Sequence, residues 1–225
     1  MNEQVINTVL TQASYLIAAA CFILALKWLS APTTARRGVK VGEVGMALAI
    51  VGALLNWEII EYKWILIALF IGTVAGLPLA LWMPMTAVPQ RTALSHSFGG
   101  LAAALVGTAE YYLNYKQGMS GFTMTAIAIE CILGYLTFTG SLMAFGKLQD
   151  ILPTRPITYK NQNIYNLSLL GAAVLVGVIL VLRPATPALF PLLIAMSLAF
   201  GVLLIIPIGG ADMPTVISLL NSYAG

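Results

Sequence analysis

The sequence predicts an all-α, polytopic transmembrane bundle of about eight helices, with the N-terminus outside and the last helix truncated. Three observations predict it. Hydrophobic residues make up 60% of the 225 and charged residues 8%, with a mean hydropathy of +0.92, whereas a soluble domain carries roughly 25% charged residues. The apolar stretches mostly run to ~18 residues or more, enough for an α-helix to cross ~30 Å of hydrocarbon. Nothing shows the ten-residue alternation of a membrane β-barrel.

The first span is read from Thr8 to Leu29. The opening MNEQVINTVL carries Glu3 and lacks the basic region and small-residue cleavage site of a signal peptide, so this helix is expected to stay. The following spans are read at Gly42 to Leu55, Trp64 to Trp82, Thr92 to Tyr112, Thr123 to Phe145, Tyr165 to Leu182 and Leu189 to Ile206. The second is short for a crossing, so it either tilts little or begins earlier, around Val39. An eighth helix begins near Met213. From Pro214, a favoured first-turn residue, to Gly225 it would rise only ~18 Å at 1.5 Å per residue. It is therefore expected to be re-entrant, peripheral or, by preference, the start of a span that continues in a longer polypeptide.

Orientation follows from lysine and arginine. The ends and connections after the first, third and fifth spans carry Lys27, Arg36, Arg37, Lys40, Arg91, Lys147, Arg155 and Lys160, against Lys63, Lys116 and Arg183 on the other side. The positive-inside rule places those richer connections in the cytoplasm and the N-terminus outside. Although the net charge is +3, the basic residues set topology and do not build a nucleic-acid surface. Cys21 and Cys131 both fall in spans without metal-ligand spacing and read as small buried residues. No phosphate-cradling glycine loop, Walker loop or nucleophile elbow occurs, so the chain itself is expected to bind no nucleotide.

Gly72 and Gly76 form a GxxxG, Gly99 and Gly100 are adjacent, and Gly134, Gly140, Gly171 and Gly177 recur. Small residues let helices approach closely in lipid, and packing suffices to explain most of them. Gly99-Gly100 lies one turn beyond the only histidine, His96, where bared backbone has room for water or a moving neighbour.

An ionisable group in hydrocarbon costs at least ~2.5 kcal/mol, so it normally marks a pathway or a buried pair. An unperturbed imidazole can take and release a proton near neutrality, and Ser95 and Ser97 beside His96 offer hydroxyls for a water chain; the competing reading is a structural histidine donating to a facing carbonyl. Glu130, about two turns into the fifth span, reads equally as a relay carboxylate or as a side chain snorkelling to the outer interface. Glu110, beside Tyr111 and Tyr112, reads as interfacial. Asp212 precedes Met213-Pro214 and reads first as a helix N-cap. Asn221 lies about seven residues beyond Pro214 and His96 about seven beyond Pro89, so both stand roughly 10 Å deep from the same side. At matched depth they have the reach to share a hydrogen bond or a water.

Several stretches follow one another in order: His96-Ser97-Phe98-Gly99-Gly100-Leu101-Ala102-Ala103; Phe138-Thr139-Gly140-Ser141 through Gly146-Lys147-Leu148-Gln149; Arg155-Pro156-Ile157-Thr158-Tyr159 with Asn166; Pro207-Ile208-Gly209-Gly210-Ala211-Asp212-Met213-Pro214; and Leu220-Asn221-Ser222-Tyr223. Through them the chain, from about residue 40, resembles the membrane domain of the proton-translocating NAD(P) transhydrogenase β subunit. The resemblance implies that residues 1–225 form a proton-translocating transmembrane domain of the cell inner membrane. It implies coupling to hydride transfer between NADH and NADP+ on soluble partner domains. NAD(H) would sit on an α-side subunit that also brings membrane helices, and NADP(H) on the C-terminal domain of a whole β subunit, in a dimer of the complex. No cofactor would be bound by this chain, which is not catalytic alone. By the same resemblance His96 is the protonatable relay, Asn221 its polar neighbour, and Asp212 the residue that couples proton occupancy to the NADP(H) domain. Ser141 and Glu130 are the remaining candidates for the path.

Two other classes stay open on the residues alone. A secondary transporter with a midplane site calls for inverted repeats and paired broken helices, and no clear repeat relates the two halves. A structural membrane subunit calls only for polar residues that pack helices.

Overall fold

The computed structural model describes residues 3–55 and 61–224 and is all-helical among them. Eight α-helices follow in chain order: α1 (Glu3–Leu29), α2 (Ala35–Leu54), α3 (Tyr62–Trp82), α4 (Val88–Asn114), α5 (Gly121–Leu148), α6 (Gln162–Leu182), α7 (Leu189–Ile205) and α8 (Met213–Ala224). The expected order holds, but most helices run past their apolar windows. The largest extension is α2, which starts at Ala35. Arg36, Arg37 and Lys40 lie in its first turns and not in a connection. Hydropathy sees the part of a helix that lipid covers, whereas backbone hydrogen bonding carries on into the interface.

Four helical segments are long and apolar enough to cross a bilayer: Val5–Leu29, Tyr62–Trp82, Gly121–Leu148 and Gln162–Leu182. A fifth crossing is available if α7 and α8, bent by 109° at their junction, count together. The chain is a membrane protein. Two expected spans, α2 and α4, are less apolar, because α2 carries its charges in the first turns and α4 carries serines, threonines, glycines and His96 along its length.

The chain divides into two compact units, residues 1–75 and 76–225. In the first, α2 lays Gly38, Gly45 and Gly52 against α1. The seven-residue spacing keeps one face on the partner over successive turns. A methyl group at any of the three would stand 2.9 Å from an α1 atom, at Ala25 or Leu29, Cys21 and Ser14 respectively.

The second unit is built around α5, which packs against α4, α6, α7 and α8. Buried on nearly every side, α5 has no amphipathic stripe, as expected of a helix enclosed by others. Its first turn is capped by the Ser120 hydroxyl, which accepts from the Thr123 amide at 3.0 Å. The facing surface of α4 is Ala93, Ser97, Gly100, Ala104, Gly107 and Tyr111, again a near-seven-residue repeat of mostly small residues. At the end of this unit away from the α7–α8 bend, Tyr111 stacks on Phe190 of α7 with ring centroids 4.0 Å apart, and its hydroxyl donates to the Pro184 carbonyl at 2.9 Å.

Candidate functional site

The site forms where α4 and α5 cross most closely. Gly100 leaves room for Thr137: a methyl group there would lie 2.8 Å from the Thr137 methyl and 3.1 Å from the Gly134 carbonyl oxygen. Gly134 answers from α5, where a methyl would stand 2.8 Å from both the Ala104 methyl and the Gly100 carbonyl. Gly99 faces away, with nothing within 4 Å. The bared backbone beside His96 is therefore a helix contact at Gly100 and an open face at Gly99.

One turn before this contact, His96 Nδ1 lies 3.1 Å from Ser141 Oγ. His96 is half-buried and Ser141 fully buried, so the structure brings together two of the residues singled out from sequence. The partner is a hydroxyl, not the carbonyl of a purely structural histidine. A hydroxyl both donates and accepts, so it can donate to a bare Nδ1 or accept from a protonated one. Ser95 and Ser97 do not extend the site: Ser95 donates to the Thr92 carbonyl at 3.1 Å, and buried Ser97 donates to Phe138 at 3.0 Å. Those bonds brace the helix and the α4–α5 seam.

Further along the seam the polar groups continue. Thr137 Oγ1, one turn from Ser141 on α5, is buried with no hydrogen-bond partner among the described residues. Thr108 Oγ1 lies 2.9 Å from the Tyr135 hydroxyl and 3.9 Å from Cys131 Sγ. Glu130, half-buried, directs its carboxylate towards Gly107, where a methyl would meet Oε2 at 3.2 Å; it pairs with no described cation. Glu110 is exposed near the far end of α4 and accepts from Asn114 at 2.8 Å, as its interfacial reading expects.

Asn221 and His96 each stand eight residues past the first residue of their helices, α8 and α4. Leu220, just before Asn221, packs on Gly140, just before Ser141, so α8 reaches the level of the His96–Ser141 pair. The Asn221 side chain is exposed and bonds to no described residue. The buried face of α8 is Met213, Val216, Ile217 and Leu220. Asp212 is exposed at the end of a short 3₁₀ turn, Gly210–Asp212, that leads into α8. Its carboxylate caps no amide of the described helix: the turn occupies the position expected for a capping residue, and Pro214 has no amide hydrogen to offer.

Sequence reasoning counted Lys147 only as a charge marking the cytoplasmic side. The side chain is in fact 1% exposed, and Nζ donates to the Ile206 and Ile208 carbonyls at 2.7 and 2.6 Å. The signal was available in part, since Lys147 lies in one of the ordered motifs. The Arg155–Tyr159 segment and Asn166 also find their place. Ile157 donates its amide to Ile206, the Tyr159 hydroxyl donates to Asn166 at 2.7 Å, and Asn166 donates to the Leu203 carbonyl at 3.2 Å. Among the described residues no cluster of side chains is suited to hold a metal.

The family profile described as NAD(P) transhydrogenase beta subunit matches residues 11–225. NAD(P) transhydrogenase subunit beta of Rhodospirillum rubrum is 46% identical, over 96% of this chain and 48% of the relative, and the protein from a designated strain of that species matches to the same extent. The chain thus spans about half the length of the curated relatives it matches. On the extent of these matches, the chain belongs to the NAD(P) transhydrogenase β subunit family.

Proposed function

We propose that residues 1–225 are the proton-conducting membrane domain of an NAD(P) transhydrogenase, coupling proton passage to hydride transfer between NADH and NADP+ on soluble domains. The observation that carries this reading is the His96–Ser141 pair, a titratable ring inside the bundle held by a hydroxyl that serves either protonation state. His96 takes and gives up the proton, Ser141 holds the ring, and Asn221 on α8 stands at the same level. Glu130, beyond Thr108 and Tyr135 along the seam, serves the outer side of the path in this reading. Asp212, exposed where α8 begins, faces the NADP(H)-binding domain of a whole β subunit. NAD(H) belongs to an α-side subunit, and the assembly is a dimer in the cell inner membrane.

Coupling requires that a proton bind one arrangement of the bundle more tightly than another. A difference of ~3 kcal/mol shifts the populations by more than 100-fold. The test is His96→Ala in the complete complex. Loss of coupled proton movement with nucleotide binding retained on the soluble domains is expected, and unchanged pumping would overturn the proposal.

A further inference from the structure

We propose that Lys147 is a positioning residue that locks the α7–α8 bend to α5, and through it ties the His96–Ser141 pair to the surface that carries Asp212. The inference rests on the proton-conducting reading above and adds a residue to it.

Helix α7 ends at Ile205 and the chain turns by 109° into α8. Such a turn leaves carbonyls just past the end of α7 without the amides of a continuing helix, although the Ile205 carbonyl still accepts from the Ile208 amide at 3.1 Å. In the structure these groups are met from other elements. Lys147 bonds both Ile206 and Ile208, and the Ile157 amide also reaches the Ile206 carbonyl, at 3.2 Å. Gly210, at the start of the 3₁₀ turn, donates to the Thr154 carbonyl at 2.8 Å. A buried ammonium with no carboxylate partner among the described residues is costly, and a cation at a helix C-terminus is favoured by the helix dipole. Its two short bonds to carbonyls at the bend make that geometry the reason for its burial.

Lys147 also sits on the helix that carries the proton site. Ser141, less than two turns earlier on α5, holds His96, and Gly140 meets Leu220 of α8. One rigid helix therefore contacts the histidine, the bend and the body of α8. A change at His96 that shifts α5 against α4 must either move the bend with it or break the Lys147 bonds. Asp212 is four residues past Ile208 on the same short connection.

The test uses the complete transhydrogenase in membrane vesicles, with Lys147→Met, Lys147→Arg and His96→Ala side by side. Two activities are read. The first is NADPH-driven reduction of an NAD+ analogue with proton movement. The second is hydride exchange from NADH to the same analogue through NADP(H) that stays bound, which requires no release from the NADP(H) domain. Lys147→Met is expected to lose at least tenfold of the proton-coupled reaction while keeping the exchange, and Lys147→Arg to recover coupling to within about threefold of wild type. Coupled turnover unchanged in Lys147→Met would overturn the inference, as would a parallel fall of both reactions. If Lys147→Met does not assemble, Lys147→Gln, neutral but still a donor, replaces it. Failure of that variant to assemble as well would make Lys147 a folding residue and overturn the inference. The His96→Ala arm separates the two claims: normal pumping there sinks the underlying reading, whereas its loss alongside a fully coupled Lys147→Met sinks only the role of Lys147.

Discussion

A proton carrier inside a membrane must keep its neighbours satisfied in both of its charge states, since an unmet polar group there costs several kcal/mol. On the proposed reading, His96 does so at Nδ1 with one bond. Ser141 can donate to its ring or accept from it, so the 3.1 Å contact survives the gain or loss of a proton. Ser141→Ala removes the hydroxyl and little volume. It is expected to slow coupled turnover by roughly tenfold, the equivalent of a hydrogen bond worth about 1–1.5 kcal/mol, with the amount of assembled complex unchanged. Proton uptake by vesicles carrying the variant checks this, and wild-type uptake would count against the pairing. His96 was legible from sequence because it is the only histidine and lies in an apolar stretch; Ser141 was legible only through motif order. That the two touch was not readable, since 45 residues separate them and no periodicity relates positions on different helices. Lys147 escaped for a related reason: a charge at the end of an apolar stretch looks solvated until the chain folds carbonyls around it.

Helices α4 and α5 meet through small residues, and the two adjacent glycines of α4 separate packing from flexibility. In a helix alanine is favoured over glycine by about 0.8–1 kcal/mol, so Gly99→Ala, on the open face, is expected to be neutral or stabilising. Gly100→Ala drives a methyl into Thr137 and the Gly134 carbonyl and is expected to cost about 1–3 kcal/mol by overpacking. Thermal unfolding of the two purified variants checks the contrast, and equal midpoints would mean that the seam is looser than described. At this scale the sequence was most informative about existence and order, because an apolar stretch marks where each helix lies, even in α2 and α4, which are less apolar than the other spans. It was least informative about contacts. The GxxxG of Gly72 and Gly76 is the conventional packing signal, yet a methyl group at either glycine would meet no described atom within 4 Å, whereas the heptad of Gly38, Gly45 and Gly52 is tightly packed. Both patterns are visible in the letters, and only the partner helix distinguishes them.

For the whole molecule, the charge count predicts one topology, with the turns that carry Lys160 and Asp212 on the cytoplasmic side and the turn that carries Gln117 outside. In a chain with Cys21 and Cys131 replaced, an impermeant thiol reagent is expected to label Lys160→Cys only in inverted vesicles and Gln117→Cys only in right-side-out ones, both positions being exposed. Labelling on the opposite sides would invert the path drawn from Glu130 to His96. The bundle has one bent helix pair among its described residues, α7 with α8, and no counterpart of the kind that pairs broken helices around a transported solute. The central claim is that protonation at His96 sets the hydride reaction, and an imposed pH gradient addresses it most directly. In proteoliposomes of the complete complex, the rate of NADP+ reduction by NADH is measured as the gradient across the membrane is varied. The wild-type rate is expected to rise with proton influx from the outer side, and the His96→Ala rate to stay flat. A His96→Ala complex that still follows the gradient would contradict the account.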